Sequence, residues 1–367
     1  MMQYALLAAC AVAFGYQLTA IVATLRQILR RDPATRSLPP ISILKPVRGL
    51  DPGFYEAIRS HATQDYPDFE ILFGAARMDD PALDEIRRLQ AEVPRIPIRI
   101  IHSTTGAPNG KVGVLIDLAR EARHRTLLVN DSDIRLPPGY LRGIVAPLED
   151  PQVGVVTCLY RATGRGLPGI FEALGIATDF APSALVAPLV GINEFGLGST
   201  LLFRRADLAS IGGFEAIAPY IADDYQLAKR ITQLGRRVHL AKAVVETALQ
   251  AANWADIWHH QVRWHRTIRV SRGAYAGLPA THASLWALVA MLAGLWWAAA
   301  ALLAARLLTA VLAGWGVLGS PLVLRWLLLV PLRDLFGVAV WLAGLTGHRV
   351  RWRDQILTLS ADGRILQ

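Results

Sequence analysis

The sequence predicts an α/β domain with a mainly parallel sheet, accompanied by membrane-spanning helices. Three observations carry this. Short apolar runs alternate with helix-period segments between residues 41 and 129, the mark of βαβ units. Uncharged runs long enough to cross a bilayer stand on both sides of that region. Apolar residues make up 53% of the 367-residue chain and its mean hydropathy is +0.33, more than a water-soluble protein carries.

Taken in order, residues 1–25 carry no formal charge. The run is too long for a signal-peptide core. No basic residue precedes it, and no clear small-residue cleavage site stands before the basic cluster, so it reads as a retained transmembrane anchor. Residues 35–252 read as one water-soluble domain. In it, Ile41-Ser42-Ile43-Leu44 predicts a buried strand ending at Lys45-Pro46, with a helix over 54–62. A second strand follows over 69–74, and its helix over 81–91 has Pro81 in the first turn. A third strand over 98–101, a helix over 111–123 and a fourth strand over 126–129 lead straight into Asn130-Asp131-Ser132-Asp133. Residues 253–280 read as an interfacial amphipathic helix dense in Trp, His and Arg. Residues 284–347 read as C-terminal membrane segments: uncharged spans over 284–305 and 307–324, then a run over 335–347, after Arg333 and Asp334, too short for a span by itself. Residues 348–367 form a tail.

The net charge of +9 gathers beside the apolar runs. Arg26, Arg30 and Arg31 follow the first run. Arg263, Arg266, Arg269 and Arg272 precede the second, and Arg349, Arg351 and Arg353 follow the last. The positive-inside rule puts all three clusters, the 35–252 domain and the tail in the cytosol, with the N-terminus outside. An even number of crossings must then follow the domain, so the 335–347 run is re-entrant or pairs with residues 326–331. The basic balance reads as attraction to lipid headgroups and diphosphate. No nucleic-acid module is present. The two cysteines, Cys10 and Cys158, make no disulfide framework.

Ligands of parallel sheets bind at the carboxyl ends of the strands. The polar groups there are Lys45 and Arg48, Asp79 and Asp80, Asn109 and Lys111, and Asp131 and Asp133. Two carboxylates two residues apart at a strand end can both reach one hard cation, Mg²⁺ or Mn²⁺, that also binds a diphosphate. The same tripeptide suits a solvated turn. Asp223 and Asp224 open a predicted helix. One of them can take a proton from a hydroxyl, or the pair simply serves the helix N-terminus. In the stretch over 254–272, Arg263 and Trp264 can form a lid or floor on a site, or the whole stretch is an interfacial helix. Adjacent His259 and His260 point apart on a helix and do not make a metal pair. The loop Gly196-Leu197-Gly198-Ser199-Thr200 and the later Gly212-Gly213 either line a ligand or form plain turns.

In this order, the motifs resemble those of the ceramide glucosyltransferases, the inverting family 21 enzymes related to family 2. The matching stretches are Ser42-Ile43-Leu44-Lys45-Pro46-Val47-Arg48-Gly49-Leu50-Asp51, Asp79-Asp80-Pro81-Ala82, Asp131-Ser132-Asp133-Ile134-Arg135, Ile221-Ala222-Asp223-Asp224-Tyr225 and His260-Gln261-Val262-Arg263-Trp264. They cover residues 38–353. Val156-Thr157-Cys158-Leu159-Tyr160-Arg161, the run from Arg263 to Arg269, and the second acid Asp133 resemble the bacterial branch associated with hopanoid biosynthesis. The resemblance implies a GT-A domain over 35–252, Rossmann-like and binding a nucleotide-diphospho-sugar, at a bacterial inner membrane. It implies a UDP-sugar donor, a divalent cation and inversion at the sugar carbon. In that branch the donor is UDP-N-acetylglucosamine and the acceptor a bacteriohopanepolyol. The alternative is ceramide with UDP-glucose.

Carried over by motif, Asp80 holds the uridine; Lys45 and Lys111, by their place after the strands, are assigned to donor binding. Asp131 and Asp133 hold the metal and diphosphate, Asp224 is the base, Asp223 caps the helix, and Arg263 and Trp264 close over the site. Two departures stand out. His260 occupies a place that is usually Gln or Arg, and Arg77 one that is often acidic. A processive polysaccharide synthase of the same fold would need more spanning helices than follow the domain here. An inactive membrane-binding relative would not be expected to keep Asp80, Asp131, Asp133 and Asp224 together.

Overall fold

The computed structural model describes residues 1–249, 253–271, 273–352 and 355–366. Arg272 and Arg353, two of the basic residues noted above, lie outside these. The chain forms two compact units. One comprises Arg31–Tyr160, Asn193–Gln250 and Arg364–Gln367, and the other Met1–Arg30, Arg161–Ile192 and Ala251–Gly363.

The first unit holds the sheet. Its strands are β1 (Ile41–Pro46), β2 (Phe69–Ala75), β3 (Ile98–His102), β4 (Thr126–Val129), β5 (Ile134–Arg135), β6 (Val153–Thr163), β7 (Leu201–Arg204) and β8 (Arg237–Ala248), in the order β3-β2-β1-β4-β7-β6-β8-β5. The β3-β2-β1-β4 half is parallel, as the βαβ reading requires. Beyond it, β4 with β7, β7 with β6, and β8 with β5 pair antiparallel.

Alternate side chains of a strand face opposite ways. Ile41, Ile43, Ile71 and Phe73 therefore enter one core with α2 (Phe54–Ala62), α3 (Ala82–Glu92) and α5 (Tyr140–Val145). Leu44, Leu72, Leu127 and Val129 enter the other with α4 (Gly110–Glu121) and α9 (Asp223–Gln233). Burial on both faces is why β1, β2 and β4 read as largely apolar runs, and among the polar exceptions Ser42 and Glu70 bond each other at 2.7 Å. Gly74 lets α4 approach β2: a Cβ there would stand 2.4 Å from Val114 Cγ1.

The second unit is helical. It contains α1 (Met2–Leu29), then α6 (Gly166–Gly175) and α7 (Ala181–Val186), joined through a π-helical turn into one run, Gly166–Val190. α8 (Arg205–Ser210) belongs to the sheet unit. The helical unit continues with α10 (Trp254–Ser271), α11 (Ala283–Leu292), α12 (Trp296–Ala310), α13 (Pro321–Arg325) and α14 (Val330–Gly344). Strands β9 (Arg349–Trp352) and β10 (Gln355–Leu359) pair antiparallel. Among the described residues, four helices are long and apolar enough to cross a membrane: Gln3–Leu29, Gly166–Val190, Trp296–Val317 and Leu327–Gly344.

The membrane segments differ from the sequence expectation in four ways. The span expected over 284–305 breaks at Gly294, whose φ of 77° suits glycine. There Leu295 N–H donates to Ala290 O and Gly294 N–H to Met291 O, a Schellman end to α11. The span expected over 307–324 does not form, because the Trp296–Val317 helix runs through Arg306 and ends before Gly319 and Pro321. The 335–347 run is part of a longer helix that passes through Arg333 and Asp334. Finally, Arg161–Ile192, read as part of one 35–252 domain, groups with the helical unit.

Candidate active site

The carboxyl ends of β1 and β4 bring Lys45 to the Asp131-Ser132-Asp133 turn. Lys45 is fully buried, and its Nζ donates to Asp131 O at 2.9 Å and lies 3.2 Å from His61 Nε2. Burial pushes its pKa down to about 7, against the pull of Asp133, Asp131 and Asp51. Its ammonium supports the turn's backbone at the carboxyl end of β1. Ser132 Oγ donates to Asp51 Oδ2 at 2.6 Å, which fastens the turn to the loop after β1. Thr247 of β8 donates its hydroxyl to Asp133. Burial and neighbouring Asp131 push the Asp133 carboxyl up to about 6.

The first turn of α4 carries Lys111. Asn109 caps that helix, accepting from Lys111 N at 3.1 Å and Val112 N at 3.3 Å, and its amide donates to Tyr220 O at 2.9 Å. Asn109, a candidate ligand by its place in sequence, is thus a structural cap. Lys111 Nζ lies 2.7 Å from Asp131 Oδ1 and 3.2 Å from Asp223 Oδ2. Burial opposes this charge, but Asp131 and Asp223 more than offset it and raise the ammonium's pKa.

Asp223 is buried against Lys111 and does not cap α9, whose N-cap is Ala222 with no side-chain cap bond. The expected cap fails because a buried carboxylate is held more strongly by an ammonium than by a helix amide. Asp224 accepts from Gly198 N at 3.0 Å through Oδ2 and from Tyr225 N at 2.7 Å through Oδ1. Burial and the charge of Asp223 push its carboxyl up to about 6, while Lys111 pulls it down.

Gly198 separates the two groups of acids. A Cβ there would stand 2.9 Å from Asp131 Oδ2 and 3.6 Å from Asp224 Oδ2. The bare glycine keeps a gap open between these carboxylates. The loop closes through the Leu197–Thr200 bridge, so it is a turn, and its glycine is what lets the acids face one space. Oxygen donors around this gap suit a hard cation. Among the described residues no three acidic, His or Cys side chains form a ready-made cage. Mg²⁺ and Mn²⁺ fit such a half-site, since one or two carboxylates and substrate phosphates commonly hold them.

The remaining expected residues have the following partners. Asp80 accepts from Gly49 N at 2.8 and 3.0 Å and from Ala82 N at 2.9 Å, tying the loop after β1 to the start of α3. Arg77 pairs with exposed Asp79 at 2.7 Å. Arg263 and Trp264 lie on α10 in the helical unit, where Trp264 packs on His260 and Phe180, with ring centroids 4.8 and 6.0 Å away. Sequence reading missed His61 and Thr247, for which no local signal exists. It also missed the Lys111–Asp223 pair, which only the fold creates.

A half-parallel sheet with acids at the end of its central strand β4, and a second acid across a glycine turn, has the layout of a GT-A fold. Mannosyltransferase PcManGT from Pyrobaculum calidifontis, solved in complex with GDP-Man and Mn²⁺, has a similar fold. The TM-score is 0.57 at 19% identity, over 94% of this chain and 98% of that one. The chain belongs to glycosyl transferase family 21, whose model matches residues 5–365. Ceramide glucosyltransferase 1 of Caenorhabditis elegans is 29% identical over 226 residues, 60% of this chain and 47% of that protein. Ceramide glucosyltransferase 3 of the same organism is 26% identical over 202 residues, 54% of this chain and 44% of that protein. The match thus spans about half the length of these curated relatives.

Proposed function

We propose that this glycosyltransferase is an inverting, metal-dependent enzyme that moves one hexose from a UDP-sugar to a membrane-lipid hydroxyl at the cytosolic face of a bacterial inner membrane. The observation that carries the reading is the gap at Gly198, faced by Asp131 Oδ2 on one side and Asp224 Oδ2 on the other. Direct displacement needs leaving-group stabilisation and a base at separate positions around the sugar carbon.

Asp224 takes the acceptor hydroxyl's proton as the new bond to the sugar carbon forms. The bond from that carbon to UDP breaks, and UDP leaves with the electron pair. Asp131 and Asp133 would hold the cation, which when bound supplies charge stabilisation to the diphosphate. Lys111 fixes Asp131 and Asp223. By motif, Asp80 serves the uridine, Arg263 the diphosphate and Trp264 the acceptor.

The names of the relatives favour a ceramide acceptor and a transferred glucose. With the UDP donor that the motifs imply, the sugar donor is then UDP-glucose. A second reading, UDP-N-acetylglucosamine with a bacteriohopanepolyol, rests on the second acid Asp133 and the Arg263-to-Arg269 motif. The test is UDP release by the purified protein in nanodiscs with each donor and lipid pair, with and without Mg²⁺ or Mn²⁺. Metal-dependent release with one hexose added per lipid is expected. Release that needs no lipid, or a polymeric product, would overturn the reading.

A further inference from the structure

We infer that, of the four long apolar helices among the described residues, two do not cross the bilayer, and that a shorter one does. Chain parity and helix direction lead there, once the helical unit is read as membrane-embedded. The sheet unit is water-soluble and lies on one side of a membrane. The chain leaves it at Tyr160 and re-enters at Asn193. A single helix between these points, Gly166–Val190, cannot cross, however long and apolar it is. The chain end also returns to the sheet unit: Arg364 bridges Tyr220, and Ile365 N–H donates to Pro219 O at 2.8 Å. Residues 251–363 therefore cross an even number of times.

Helix direction says which segments these are. α1 runs into the sheet unit at Arg31, so its C-terminal end lies on the sheet's side of the membrane. α12 runs parallel to α1. Cys10 and Ala13 cluster with Ala298 and Ala299, Thr309 Oγ1 donates to Gln17 O, and a Cβ on Gly316 would meet Ile28 Cδ1 at 3.0 Å. The Trp296–Val317 helix thus starts on the far side and ends on the near side. Residues 273–292 must make the outward crossing. They do so as a 3-10 segment, Gly273–Thr281, followed by α11, which runs antiparallel to α1: Gln17 Nε2 donates to Thr281 O, and Cys10 Sγ to Trp286 O. After Val317 the chain is back on the near side, so the one long helix left, Leu327–Gly344, does not cross.

The non-crossing helices share a buried polar cluster with α10. His260 bonds Glu172, Gln261 Nε2 donates to Glu172 at 3.3 Å, and Arg333 donates to Gln261 Oε1 at 3.0 Å. Phe336 packs edge-on against Phe171 and Trp258. Exposed apolar side chains remain on each helix: Leu167 and Val190, Trp254 and Trp258, Leu328 and Leu345. We propose that Gly166–Val190, α10 and Leu327–Gly344 form an in-plane platform at the near-side headgroup boundary, its exposed apolar residues resting in lipid, and that the chain crosses the membrane three times. Trp beside an Arg-rich face is suited to that boundary.

The test uses the full chain in oriented membrane vesicles, with Cys10→Ala and Cys158→Ser removing native thiols. Single cysteines replace Leu167, Val190, Leu292, Leu328 and Leu345, with Arg87→Cys marking the sheet's side. A membrane-impermeant maleimide should reach Leu292→Cys only from the side opposite Arg87→Cys, and the other four only from the same side. Any of those four that stays unlabelled is read instead by a fluorophore attached before reconstitution. Stronger quenching by shallow than by deep spin-labelled lipid supports the platform, and the reverse overturns it. Leu328→Cys and Leu345→Cys, or Leu167→Cys and Val190→Cys, reacting from opposite sides also overturns it. So does Leu292→Cys reacting from the Arg87→Cys side. Since the readout is topology and not turnover, these failures leave the proposed transfer reaction untouched.

Discussion

Arg306 and Asp334 form a buried ion pair at 2.7 Å, with side-chain exposures of 3% and 0%. These are two of the four charges that interrupt the apolar stretch over 284–347. Arg306 Nη1 also donates to Thr178 O at 2.8 Å, and Ser284 Oγ donates to Asp334 at 2.6 Å. Each charge is thus neutralised and hydrogen-bonded inside the helical unit.

Removing one partner leaves the other charge buried and unpaired. Arg306→Met or Asp334→Leu alone should destabilise by about 3–5 kcal/mol, whereas the double variant should lose far less. Thermal unfolding of the four proteins in one detergent measures the coupling. Additive losses would show that the two residues act independently.

Asp133→Ala should cut turnover by about 10² or more if the cation carries leaving-group stabilisation. The check is initial rate against Mg²⁺ or Mn²⁺ concentration. Full activity of this variant in chelator-treated buffer would remove metal from the reaction.

Asp224→Asn should keep donor binding and folding but lose transfer, while Asp223→Asn should lose far less. A base must be ionised, so transfer should fall as pH drops through about 6, where burial and Asp223 set the Asp224 carboxyl. Removing the Asp223 charge lowers that pKa, so the acid limb of Asp223→Asn should move to lower pH. A limb that stays put, or the reverse order of activity loss, assigns the base elsewhere.

Gly198→Ala should abolish most transfer without unfolding the protein. Its methyl would enter the gap 2.9 Å from Asp131 Oδ2. An unchanged melting temperature with lost turnover is the expected pair of results. An active variant would show that the reacting groups do not meet there.

Lys45 makes stability depend on pH. Its folded pKa, about 7, lies below its ordinary 10.5, so the unfolded chain binds more protons between these values. Stability should therefore rise with pH across that window. The wild-type minus Lys45→Met difference in denaturant midpoint should show this slope. A flat difference would mean that the ammonium is not held in a desolvated place.

The alternation of apolar runs and helical segments determined the parallel half of the sheet, because strands buried on both faces leave that pattern in any context. It also determined the acids at the end of β4, since a strand end must surface where its ligands bind. The sequence could not determine that Asn109 is a cap, that Lys45 lies beneath the turn, or that Asp223 answers Lys111. The last two depend on partners far along the chain, and the capping side chain is itself held by the distant Tyr220 O. The membrane helices show the same division. Composition marked the apolar region, but Arg306 and Asp334 look like span-breakers until the fold pairs them, and Gly294 looks like any residue of a span until the chain turns there. A charge ends a helix's burial only when nothing neutralises it, and that is decided by tertiary structure.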